Sequence, residues 1–189
     1  MSLLRKAGIM AILVAASTSA EPVSGQAMQS FGNEDKVDIE RAEQLEAEAM
    51  EALRRTSGVR KAASLFRKAA ELRPEGDPIA IFDLGRAGQL SFYSNDLKTA
   101  RRTLLDAAEA AIQTGDVVAG ANALIDVVHI AAELRDPQTA FESYERARLL
   151  TGSPLLSSNQ RDQLNYRLRP VTALAAAADA DSRRGSDLR

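Results

Sequence analysis

The chain has no cysteine, no tryptophan, a single histidine and only 4% aromatic residues among 189. Without cysteine there is no disulfide and no thiol nucleophile, and a chain of this length can bury an adequate core without either. Scarce aromatics weaken the case for strands, whereas alanine, which fills much of the apolar share, is the strongest helix former. Helices are therefore expected almost throughout. A long apolar run is missing too: the one apolar stretch, Ala7 to Ala16, falls well short of the ~20 residues that cross a bilayer. Also absent are a Gly-rich phosphate loop, a nucleophile elbow and a zinc-protease helix, so the chain is read as a non-enzyme with no cofactor.

What is present begins with export. Arg5 and Lys6 precede the short apolar run, and Ser17, Thr18, Ser19 and Ala20 follow it. Thr18 and Ala20 stand at the small-residue positions of a cleavage site, which is the layout of a secretory signal peptide over residues 1–20. Gly25 and Ala27 offer an alternative cut after residue 27. With no cysteine after the run, lipoprotein attachment is excluded, so no stable membrane anchor is expected after cleavage. Losing Arg5 and Lys6 from 24 basic residues leaves 22 against 26 acidic ones, a net charge of about −4. That mild acidity argues against a general nucleic-acid binder. The expected location is outside the cytoplasm, periplasmic or extracellular if the source is bacterial.

Residues 21–36 carry Pro22, Ser24, Gly25, Gly32 and Asn33 with little apolar periodicity and read as a linker. Residues 37–178 read as a helical domain, and residues 179–189 as a disordered tail. A first helix is predicted from about Asp38 to Arg55, broken by Ser57 and Gly58. Asp77–Pro78 and Asp136–Pro137 each pair an N-cap with a proline in the first helical position, starting the third and sixth helices. The fourth ends near Gly115, and the fifth spans about Val117 to Leu134. A last helix starts near Asn159, and Pro170 is expected to kink or split it.

One pattern recurs three times. Ala62, Phe66, Ala69 and Pro74 stand at offsets 0, 4, 7 and 12, as do Ala100, Leu104, Ala107 and Ile112, and then Ala140, Tyr144, Ala147 and Gly152. Small, large and small residues at 0, 4 and 7 share a helix face on which a neighbouring helix can approach closely. The period, 38 and then 40 residues, is that of a stacked helical array.

This pattern resembles the second helix of a tetratricopeptide repeat, which reads Ala, Phe or Tyr, Ala, Pro. The first helix of such a repeat is matched in the middle unit by Leu84, Ala87-Gly88 and Phe92, and its turn by Asn95-Asp96-Leu97. Leu124, Val127-Val128 and Ala131 match less closely, as do Glu46, Ala49-Met50 and Leu53. The resemblance covers about residues 38–152 and implies an all-α solenoid of three repeats. A capping helix would follow, laying Leu164, Leu168, Val171 and Leu174 on the sixth helix and turning Asn159, Arg161, Asp162, Arg167 and Arg169 to water.

The resemblance further implies a concave groove lined by the first helix of each repeat. Its centre would hold Phe82, Gln89, Phe92, Tyr93, Asn122 and His129, a mixture of aromatic anchors and polar groups suited to an extended peptide. The aromatics Phe82, Phe92 and Tyr93 read equally well as core between helices. The positions that clamp a chaperone's C-terminal carboxylate in this family are Ala47, Glu51, Arg86, Asn122 and Asp126 here, and of these only Asn122 suits the chemistry.

Three alternatives complete the reading. Asp126, His129 and Glu133 are spaced to share a helix face and form a remote candidate for a metal-dependent enzyme, although one helix gives only part of a coordination shell. Arg54, Arg55, Arg60, Lys61, Arg67 and Lys68 cluster around the first turn, either as a solvated surface or, if some converge, as a seat for an acidic partner or phospholipid headgroup. A structural role, in which a homo-oligomer or envelope component associates through its end helices and buries the Leu164/Leu168 stripe, stands beside the main expectation of a protein- or peptide-binding scaffold.

Overall fold

The computed structural model describes residues 33–55 and 57–186. The expected signal segment, the linker up to residue 32 and the last three residues of the expected tail lie outside the described residues. Seven helices and no strand occur among them: α1 (Asn33–Leu53), α2 (Val59–Leu72), α3 (Pro78–Tyr93), α4 (Leu97–Thr114), α5 (Val117–Glu133), α6 (Pro137–Thr151) and α7 (Ser158–Ser186). The fold class is all-α. Helix α1 begins at Asn33, inside the stretch expected as linker, and α7 continues to Ser186, into the stretch expected as tail.

Four successive helices start by one device. Asp77, Asp96, Asp116 and Asp136 are the N-caps of α3, α4, α5 and α6, and their carboxylates accept from the backbone N–H of Ile79, Thr99, Ala119 and Thr139. Each aspartate satisfies a helix-end donor that has no partner within the helix. The residue before each has a left-handed backbone: Gly76 (φ +82°), Asn95 (+65°), Gly115 (+79°) and Arg135 (+55°). In the last three turns the aspartate N–H also donates to the carbonyl five residues back, Ser91, Ala111 and Ala131, at 2.8–2.9 Å. This is the Schellman closure, which satisfies the last carbonyls of one helix and hands the chain directly to the next cap. Asp136 has further partners. Burial opposes its ionisation, but the Thr139 N–H and hydroxyl and the Arg101 guanidinium outweigh this and hold its carboxyl below the usual range.

Each helix packs on its successor, and α5 also touches α3 and α7. The repeated stripe lies in these seams: Ala62, Phe66, Ala69, Ala100, Leu104, Ala107, Ala140 and Ala147 are all buried, and Tyr144 is half-buried. Gly88 lets α3 approach α4, since a Cβ there would sit 2.5 Å from Leu104 Cγ. The core is densest around α5, where Leu124, Ile125, Val127, Val128 and Ile130 pack with Leu104, Leu164 and Val171.

Leu164, Leu168 and Val171 are buried as expected, with Leu174 packed beside them. Pro170 does not divide α7. It is exposed between buried Leu168 and Val171, whose anchoring holds the helix on both sides of the missing N–H. These leucines are consumed within the chain, so the dimer surface expected from the Leu164/Leu168 stripe is not on offer.

Candidate functional site

Phe82, Arg86, Gln89 and Tyr93 stand at offsets 0, 4, 7 and 11 along α3. At 3.6 residues per turn, these positions fall within about 60° of arc. Asn122, Asp126, His129 and Glu133 repeat the same offsets on α5. The two stripes meet where Gln89 Nε2 donates to Asp126 Oδ2 at 3.1 Å. They form one joined polar and aromatic face, with Asp126 buried at the join.

At one end of that surface, Phe82 is 46% exposed, and the Arg86 guanidinium lies 4.5 Å from its ring centroid. Arg86 also lies 5.2 Å from the buried Phe66 ring of α2 and donates to Met50 Sδ of α1 at 3.7 Å. Its Nε is buried without a hydrogen bond. Attraction to two π faces offsets part of that cost and fixes the guanidinium between aromatic walls.

At the other end, Arg167 reaches in from α7. Its Nη2 donates to Asp126 Oδ1 at 2.5 Å, and its Nη1 donates to Asn122 Oδ1. The side chains of Arg167 and Asp126 are 15% and 5% exposed. Arg167 was expected to face water, and this is corrected: a buried carboxylate on α5 requires a cation, and α7 supplies it. Asp126 is thus the hub of a network joining α3, α5 and α7. The Tyr93 hydroxyl is buried nearby without a hydrogen bond, and burial, followed by the Asp126 charge, raises its pKa.

Of the six residues assigned to the groove, Phe82, Gln89, Tyr93, Asn122 and His129 all lie on these stripes. Phe92 does not. It is 4% exposed and packs in the core, about 90° round α3 from the stripe. Its ring meets Tyr93 edge-on at 6.1 Å, so it supports the surface from behind. His129 is half-buried. No group of acidic, histidine or cysteine side chains that could hold a metal ion occurs among the described residues, and Asp126 of the proposed trio is committed to Arg167 and Gln89. Sequence reasoning passed over Asp126 as a hub and Arg167 as its partner, and it weighed Arg86 only against the chaperone clamp. The shared 0/4/7/11 offsets were the signal for Arg86 and Asp126.

The chain matches no protein-family profile, no curated protein and no solved structure.

Beneath the Phe82 end lies a second buried ionic cluster. Arg73 donates from Nε and Nη2 to Glu46 Oε1 at 3.0 and 2.5 Å, and from Nη1 to Asp77 Oδ2 at 3.2 Å. Asp83, 2% exposed, faces the same Glu46. Burial first, and then the Glu46 charge and a hydrogen bond to it, push the Asp83 carboxyl up to about 7, against the opposing pull of Arg73 and Arg86. Arg73 thus ties α1 to the turn after α2, and the raised Asp83 carboxyl of α3 lies against that pair.

Proposed function

We propose that this chain is a binding module that holds a peptide segment of another protein on the joined stripes of α3 and α5. The observation that carries the reading is the register of the two stripes: identical offsets, one bridging hydrogen bond, and an exposed aromatic with a stacked guanidinium at the open end. A rigid surface of this kind offers an apolar contact through Phe82 and charge-assisted hydrogen bonds through Arg86 at little ordering cost.

In this reading the helices form a tetratricopeptide-like solenoid of three hairpins with α7 as its cap. The thrice-buried alanine stripe and the packing of each helix on its successor support it. The module acts outside the cytoplasm, in the periplasm or medium if bacterial, because residues 1–20 have the layout of an export signal. Consistent with a released module, no helix among the described residues is long and apolar enough to cross a membrane.

Arg167 narrows the ligand. With Asn122 and Asp126 engaged by α7, recognition falls to the Phe82 end, where the guanidinium favours a peptide combining an acidic and an apolar side chain. Peptides selected for binding to the intact chain should carry that pair. They should lose about tenfold or more in affinity to the Phe82→Ala and Arg86→Ala variants with the far-UV spectrum unchanged. Unchanged affinity in both variants would move the site elsewhere.

A further inference from the structure

The arginine-rich run around the first turn has a convergence point away from the α3–α5 face. Arg60, Ser64 and Arg67 stand at offsets 0, 4 and 7 on α2 and border an open cavity of about 190 Å³ that Thr99 and Thr103 of α4 also line. The cavity lies on the far side of α3, where Ala87, Ser91 and Ser94 are turned about 140° from the Gln89 stripe.

The cavity's donors outnumber its acceptors. Arg60 Nη2 donates to the Ser94 carbonyl at 3.3 Å, which ties that guanidinium to the end of α3. Arg67 Nε is buried without a hydrogen bond, and its ion pair with Glu71, at 3.8 Å, is too long to supply one. The Ser91 and Ser94 hydroxyls already donate to the Ala87 and Ser91 carbonyls. Asp96 also borders the cavity, but its Oδ1 accepts from the Thr99 N–H as the cap of α4. Among the lining side chains, two guanidiniums stand against one carboxylate, and Glu71 meets Arg67 from outside the lining.

We propose that this cavity binds a phosphate-sized tetrahedral oxyanion, either free or carried as a phosphomonoester. Guanidiniums from two turns of α2 and hydroxyls from α2 and α4 approach from different sides. A tetrahedral anion has oxygens to meet them all, whereas a planar carboxylate would pair with one guanidinium and leave the rest. The anion also supplies the acceptor that the buried Arg67 Nε lacks.

Calorimetric titration of the intact chain at constant ionic strength tests this, with inorganic phosphate, phosphoserine and acetate as probes and chloride as the balancing salt. Saturable binding of phosphate or phosphoserine is expected, the tighter of the two showing whether the group is free or carried. The Arg60→Ala/Arg67→Ala variant should bind about tenfold or more weakly. If that variant fails to fold, Ser64→Ala/Thr99→Val, which leaves both arginines in place, should weaken binding severalfold. No saturable heat from either phosphate probe, acetate binding as tightly as phosphate, or unchanged affinity in a folded variant would overturn the proposal.

Discussion

Two residues hold conformations or charge states that their surroundings impose. Asp83 is the first. Its folded pKa, pushed up to about 7, lies above its ordinary 3.8, so the folded state binds the extra proton between those limits. The stability this contributes is complete below about pH 4 and is lost as pH rises through 7. Asp83→Asn, which keeps the shape and removes the titration, should therefore flatten the fall in unfolding free energy between pH 5 and pH 8, read by urea denaturation at a series of pH values. An unchanged slope would show that Asp83 does not carry this pH dependence. Arg135 is the second. It adopts a left-handed backbone at φ +55°, where Gly76 and Gly115 stand in two of the equivalent turns and Asn95 in the third. Its side chain is exposed. Arg135→Gly should stabilise the fold by about 0.5–1 kcal/mol, measured as a rise in Tm.

At the scale of the element, the aspartate-capped turns set where helices begin, and small residues set how closely they pack. Replacing Asp136 by Ala removes the cap of α6 and its tie to Arg101 on α4, and should cost about 1–2 kcal/mol in denaturant unfolding. Because its folded pKa is lowered, this contribution is lost as pH falls through the acid range, so wild type and variant should converge at low pH. The two glycines of α3 make an internal control. A Cβ at Gly85 meets nothing within 4 Å, whereas at Gly88 it collides with Leu104. Gly85→Ala should stabilise by up to about 1 kcal/mol through helix propensity, and Gly88→Ala should destabilise by about 1–3 kcal/mol through overpacking.

Helix positions and the alanine stripe were legible in the sequence because both rest on local rules: propensity, capping, and the 3.6-residue period that brings offsets 0, 4 and 7 to one face. Asp77 and Asp136 announced themselves through the prolines that follow. Asp96 and Asp116 perform the same task without that marker, and their caps went unread. Arg167 was misread for a different reason. A charged residue among polar neighbours reads as solvent-facing, and only the packing of α7 against α5 reveals the buried Asp126 that draws it inward. Phe92 was misassigned because the groove positions came from the repeat resemblance, whereas its offset of 10 from Phe82 turns it about 90° away from the stripe.

At the scale of the whole molecule, the odd-numbered helices supply the candidate surface and the even-numbered ones support it. Helix α3 presents Phe82 and Arg86, and α5 presents the Asp126 hub. Helix α7 closes the far end through Arg167. The arrangement leaves one end open and one end satisfied, which gives the proposed groove a direction. Photo-crosslinking tests the central claim most directly. Benzoylphenylalanine is placed at position 82, on the proposed face, or at the exposed position 68 on α2, and the intact chain is irradiated with a peptide selected for binding to it. The account predicts an adduct from position 82 and none from position 68. An adduct from position 68 alone, or from neither position while the peptide stays bound, would contradict it.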